Sequence, residues 1–185
     1  MAFGVSLALL VRSELGLDPW DVFHQGLART IGAPIGIVTI AVGTVVLLLW
    51  FPLHQRPGIG TVANVVLVGL SLDAALAAMP PVGSLAARLV LLLAGIGLNG
   101  IATGAYIGAG LGPGPRDGLM VGLAARGHSI RIVRTGIEVA VLVAGFLLGG
   151  TVGIGTVLYA VTIGPLAHVT IPALSQRPPK EPSAP

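Results

Sequence analysis

One segment of this chain returns once, and the repeat limits the available folds more than any other feature of the sequence. Leu15-Gly16-Leu17-Asp18-Pro19-Trp20-Asp21 reappears 96 residues later as Leu111-Gly112-Pro113-Gly114-Pro115-Arg116-Asp117. At the same offset Gly4 falls on Gly100, and Gly26-Leu27-Ala28 falls on Gly122-Leu123-Ala124. After a slip of one residue, Ile35-x-Ile37-Val38 meets Ile130-x-Ile132-Val133, and Gly58-Ile59-Gly60-Thr61 meets Gly153-Ile154-Gly155-Thr156. Gly69 then meets Gly164. Two copies of one unit make up nearly the whole chain, so the fold must place the same short pattern in two positions.

Composition decides the solvent of that fold. The chain is 54% apolar and 9% charged, with mean hydropathy +0.95. A soluble domain carries about a quarter charged residues, so this chain cannot cover itself against water. Apolar runs of bilayer-spanning length point to an integral membrane protein whose first partner is lipid. No segment alternates polar and apolar as a transmembrane barrel strand does, and 28 glycines suit closely packed helices. The expected class is therefore all-α transmembrane. The ten Lys and Arg are scattered, so no nucleic-acid partner is expected. No phosphate-cradling Walker loop, His-x-x-x-His pair or Gly-x-Ser-x-Gly elbow occurs, and cysteine is absent. The sequence accordingly predicts no enzyme, no cofactor and no metal site.

Six spans are expected, three in each copy. Residues 1–79 form the first repeat. Its first span begins at Met1 and is too short, as though about a dozen residues were missing when set beside the second copy. A short helix follows over 18–32, then spans at 35–51 and 58–79. The second repeat, 84–174, holds spans at 84–109, 130–148 and 152–174, the last interrupted at Gly164-Pro165, with a short helix over 114–127. A polar, proline-rich tail, 175–185, is expected to be disordered and cytoplasmic. Both short helices start with proline at the first position and aspartate at the third, and Asp18 is a good N-cap for the first of them. Each is too short and too polar to span, so it lies at the interface or re-enters the interior. Three spans per copy invert the second copy relative to the first. With both termini on one side, that side holds Arg56, Arg116, Arg126, Arg131, Arg134, Arg177 and Lys180, while Arg12, Arg29 and Arg88 lie opposite. The excess places both termini in the cytoplasm, across a bacterial inner membrane.

Several residues are candidates for a substrate pathway. The two Pro-x-Asp starts resemble the half-helix N-termini of inverted-repeat transporters, whose free N–H groups attract anions; ordinary capping by Asp21 and Asp117 is the bland alternative. Trp20 and Arg116 sit at matched positions in these starts, and Trp20 also suits a membrane-interface aromatic. Asp73 and His168 are equivalent ionisable groups within spans, towards opposite faces, and each is a candidate gate; for Asp73 the equal alternative is a bond to a neighbouring helix or to interfacial water. On this reading Asp73→Asn abolishes solute flux. Asn64 is either a pathway amide or interhelical glue. Arg134 and Glu138, four residues apart, form an expected ion pair. Gly16, Pro19, Gly60, Thr61, Gly112, Pro115, Gly155 and Thr156 are expected to hold the repeated motif together. The threonine hydroxyls are placed to bond back to a carbonyl. Gly100-x-x-x-Gly104-x-x-x-Gly108 and other glycine-rich faces offer a surface for a homodimer.

The pattern Leu-Gly-x-x-Pro-Trp-Asp, the short helix after it, and a Gly-Ile-Gly-Thr span ending in Asp73 resemble the YczE/YyaS/YitT group of bacterial membrane proteins. The resemblance is best over residues 4–75, and the second copy departs from it at Arg116 and His168. It implies location and architecture and carries over no catalytic residue. Two functions follow as expectations: a secondary transporter or permease for an unknown small solute, or a membrane-embedded binding or accessory subunit.

Overall fold

The computed structural model describes residues 1–175, so most of the expected tail, 176–185, lies outside the described residues. Within them the chain forms eight α-helices: α1 (Ala2–Ser13), α2 (Pro19–Ile31), α3 (Ile35–Leu48), α4 (Ile59–Ala78), α5 (Leu85–Gly108), α6 (Pro115–Ala124), α7 (Ile130–Leu147) and α8 (Ile154–Leu174). The short helices are α2 and α6. At the start of α2, Asp18 is extended (φ −65°, ψ 160°) and its carboxylate accepts the Asp21 N–H at 2.9 Å. Pro19, which has no N–H to satisfy, follows it. Gly32, at φ +68°, ends α2 in the left-handed region, and α3 leaves at 115° to it.

Three helices, α4, α5 and α8, are each long and apolar enough to cross a bilayer, and the bent pair α2–α3 makes a fourth if counted as one span. This is fewer than the six expected. The α3 helix has 14 residues, roughly 21 Å at the standard rise and short of a hydrocarbon core of about 30 Å. The α1 helix has 12 residues. The α7 helix places Arg131, Arg134 and Glu138 within its first nine residues. Where an interruption was expected, α8 continues through Pro165 and Pro172.

The repeated motifs clasp each other across the molecule. The Gly60 N–H donates to the Leu111 carbonyl at 3.1 Å, and the Gly155 N–H donates to the Leu15 carbonyl at 2.7 Å. Thr61 Oγ1 donates to the Pro113 carbonyl at 2.8 Å, reaching the other repeat rather than its own helix. It also accepts the Gly58 N–H at 3.2 Å, and Thr156 accepts the Gly153 N–H at 3.3 Å. Gly16 and Gly112 both take φ +120° beneath these threonines. A Cβ on either would stand 2.7 Å from a threonine hydroxyl, so only glycine fits the two crossings.

Packing centres on α1, which lies against α4 and α5. Leu7, Leu10, Leu72, Leu92 and Ile96 form its buried apolar contact. Asn99 ties three helices together: its Nδ2 donates to Ser6 Oγ at 3.0 Å and its Oδ1 accepts from the Tyr159 hydroxyl at 3.0 Å. The Gly100-Gly104-Gly108 stripe is covered by α8. A Cβ at Gly104 would meet Thr170 at 2.6 Å, and Thr170 Oγ1 donates to the Gly100 carbonyl at 2.8 Å. The chain itself occupies this glycine-rich face, which leaves it closed to a second copy.

The two repeats then differ in one seam. The α3 helix packs along α4, whereas α7 does not pack along α8. In the first repeat Gly36 crosses Gly69, where a Cβ on Gly36 would lie 2.1 Å from the Gly69 carbonyl oxygen. There Asp73 accepts the N–H groups of Gly36 at 2.7 Å and Ile37 at 3.2 Å. An offset of 95 residues puts Arg131, Gly164 and His168 in those three positions. A long cation replaces the glycine, and His168, which is exposed, replaces the carboxylate. The second seam thus lacks both the close approach and the anionic cap.

Candidate functional site

A cavity of about 410 Å³ lies where the starts of α2 and α6 meet, walled by these two helices and by α3, α4, α5, α7 and α8. It has the volume of a small-molecule site. The sequence folds to it through the motif clasp, since Asp18-Pro19 and Gly114-Pro115 follow directly on the lead-ins gripped by the opposite repeat. Apolar wall comes from Val42, Val46, Val65 and Met120. Because α7 and α8 stand apart, Arg134 and Glu138 face Tyr159 and Ile163 across it.

The polar groups are concentrated at the two helix starts. Arg116 Nη1 stands 3.4 Å from Asp18 Oδ1, and its guanidinium lies 5.7 Å from the centre of the Trp20 ring, a cation–π distance. Asp21 Oδ1 is 3.0 Å from His24 Nδ1, both groups being buried. Arg134 Nε donates to Glu138 at 3.0 Å on an exposed face of α7. Among the described residues no hydrogen-bond partner meets Asp18 Oδ2, Trp20 Nε1, Asp21 Oδ2 or the Tyr106 hydroxyl, all of them buried atoms. Native interiors rarely leave such atoms alone, and here three of the four residues, Asp18, Trp20 and Tyr106, line one space. No side chain caps α6, whose N-cap is Gly114. The start of α2, in contrast, is capped by Asp18, the N-cap expected there, while Asp21 turns to His24.

Of the residues singled out in the sequence, Trp20, Asn64, Arg116, Asp117, Pro19, Pro115, Arg134 and Glu138 line this cavity. Asp21 sits one layer behind, paired with His24. Asp73 and His168 do not reach it. The Asp73 carboxylate is engaged in capping α3, so the gate expected of it, and the flux loss expected of Asp73→Asn, lose their geometric basis. Trp20 is not an interface aromatic: it is 6% exposed and turned inward. Asp18, His24, Tyr106 and Tyr159 were not singled out for the site. His24 stands three residues after Asp21, a helical spacing that could have flagged the pair. Tyr106 and Tyr159 carry no such local signal, because only tertiary packing brings α5 and α8 to the helix starts.

A second space, of about 650 Å³, is an open apolar groove between α5 and α8 lined by residues such as Leu93, Val161 and Pro165. It contains no charged group.

Comparison with known proteins places the chain. An uncharacterized protein of Haemophilus influenzae is 40% identical over 95% of this chain and 81% of its own length. The uncharacterized membrane protein YczE of Bacillus subtilis is 34% identical, covering 93% of this chain and 80% of its own length. YyaS of the same organism is 26% identical over 95% of the chain and 90% of its own length. No solved structure matches. With a relative named as a membrane protein and three to four helices apolar enough to cross a bilayer, the chain is a membrane protein. Residues 1–172 match the model of a family of unknown function, DUF6198, and the chain belongs to that family, with YczE and YyaS among its relatives.

Proposed function

We propose that this chain is a secondary transporter or permease for a small solute, built from two inverted three-span repeats in the bacterial cytoplasmic membrane. The observation that carries the reading is the convergence of the α2 and α6 starts on one charged cavity. Broken or re-entrant helices whose ends meet at the repeat interface are the recurrent site of inverted-repeat transporters. The reciprocal clasp of each Gly-Ile-Gly-Thr segment on the other repeat's lead-in supports a pseudo-two-fold relation. In this reading α1 and α3 cross with α4, and α7 crosses with α5 and α8. The tilt of their neighbours and local thinning accommodate the short helices, and both termini face the cytoplasm.

Function is tested by solute uptake into proteoliposomes, comparing the native protein with Arg116→Gln. Saturable uptake of one solute class, reduced at least about tenfold in the variant as expected for a lost charged contact, is the expected result. Solute binding without any flux would replace the permease by a binding or accessory subunit. The architecture has its own test: cysteines placed singly at Gln55 and Ser175 label from the same face of the membrane if the repeats are inverted, and from opposite faces if they are not.

A further inference from the structure

The groups left without partners around the cavity are of two opposite kinds. Asp18 Oδ2 is an acceptor and Trp20 Nε1 a donor; both residues line the cavity, and they are 3% and 6% exposed. The Tyr106 hydroxyl, also on the wall and unpartnered, can serve either way. Arg116 offers five N–H donors, of which Nη1 reaches Asp18. The uncapped start of α6 adds backbone N–H groups beside it. Donors for an anionic group therefore gather at Trp20, Arg116 and α6, and a half-satisfied carboxylate faces the same space.

The two kinds of group restrict what can enter. Arg134 pairs with Glu138 and Arg116 with Asp18; Asp117 lies in the first turn of α6, where the helix dipole favours it, and Asp21, one layer behind, faces His24. An anion alone would leave Asp18 Oδ2 without a partner, and a cation alone would leave the donors of Trp20, Arg116 and α6 without one, which is unfavourable for buried polar groups. A molecule carrying both charges satisfies both sets of groups. Its body would lie against Val42, Val46, Val65 and Met120.

We infer that this cavity binds a small zwitterion with an apolar body, its ammonium at Asp18 and its carboxylate at Trp20, Arg116 and the start of α6. The chemistry is that of an apolar α-amino acid. The inference rests on the cavity being the solute site and names the class of solute.

The purified native protein is titrated with L-leucine, isopentylamine and 4-methylpentanoate, which share a hydrocarbon skeleton and differ in charged groups. Melting temperature and tryptophan emission are followed. Leucine should bind, and the amine and the acid should each bind at least about tenfold more weakly, as expected when one charged hydrogen-bonding group is lost. Trp20→Phe, which removes the indole N–H donor together with part of the ring, should weaken leucine about tenfold or more by the same reasoning. Equal binding of the amine or the acid, or no response to leucine, overturns the zwitterion assignment. Uptake assays separate the two levels. Saturable uptake of a different solute class with no leucine response removes the zwitterion and keeps the permease. Leucine binding without uptake keeps the zwitterion site and removes the permease.

Discussion

The two halves of the molecule follow the same path, yet α3 lies on α4 and α7 stands off α8. Three residues account for the contrast. Gly36, Gly69 and Asp73 allow a close crossing and cap the first turn of α3. Arg131, Gly164 and His168, their equivalents, permit neither, and the opened seam exposes Arg134, Glu138, Tyr159 and Ile163 to the central cavity. A second exchange runs alongside. Trp50 is 1% exposed, packs on Gly118 and donates Nε1–H to the Pro115 carbonyl at 3.0 Å. The equivalent positions hold Gly145 and Val22, which bring α7 directly onto α2. A large residue at one site and a small one at the other thus set the two short helices at different distances from their neighbours. The repeated sequence pattern runs through both halves, and differences at a few contact residues open one side.

The contrast can be broken by substitution, and the largest effect belongs to Trp50. Trp50→Ala empties the space over Gly118 and removes a buried hydrogen bond. It should destabilise the protein by about 3–5 kcal/mol, in the range of buried tryptophan truncations, read as a large fall in melting temperature. Gly36→Ala presses a methyl group into the Gly69 carbonyl. About 1–3 kcal/mol is expected from overpacking, whereas Gly164→Ala, with nothing within 4 Å of its Cβ, should be tolerated. Equal melting temperatures for these two glycine variants would deny the difference between the seams. Asp73→Asn weakens the cap on α3 and should cost about 0.5–2 kcal/mol while leaving solute uptake in place. His168→Asn, on an exposed position, should stay within about 0.5 kcal/mol of the native protein. Loss of uptake in Asp73→Asn, with stability intact, would return Asp73 to the pathway.

Much of this frame was legible in the sequence because it rests on local chemistry. Asp18-Pro19-Trp20-Asp21 names its own helix start through a cap and a proline. The repeat located α2 and α6, and glycine-flanked apolar runs located the longer helices to within a few residues. What escaped is what depends on the opposite repeat. Thr61 gave no sign that its hydroxyl reaches Pro113. For Asp73 the sequence left a gate and a bond to a neighbouring helix equally open, because the N–H groups it caps lie 36 and 37 residues away. The glycine stripe of α5 looked free because the residues that cover it, Leu166, Thr170 and Leu174 on α8, come 66 residues later. Tyr106 and Tyr159 gained their place only when α5 and α8 were brought against the helix starts.

The central claim is that the unclosed half leaves a polar cavity reachable from water, and its most direct test needs no knowledge of the solute. The chain has no cysteine, so one can be placed at Asn64, on the cavity wall, and one at Val157, on an exposed apolar position of α8. Both are treated in the membrane with a small hydrophilic thiol reagent. The account predicts that the cysteine at position 64 is modified and the one at position 157, facing lipid, is not. An unreactive cysteine at position 64 in the folded protein would mean a closed, dry interior and would contradict it.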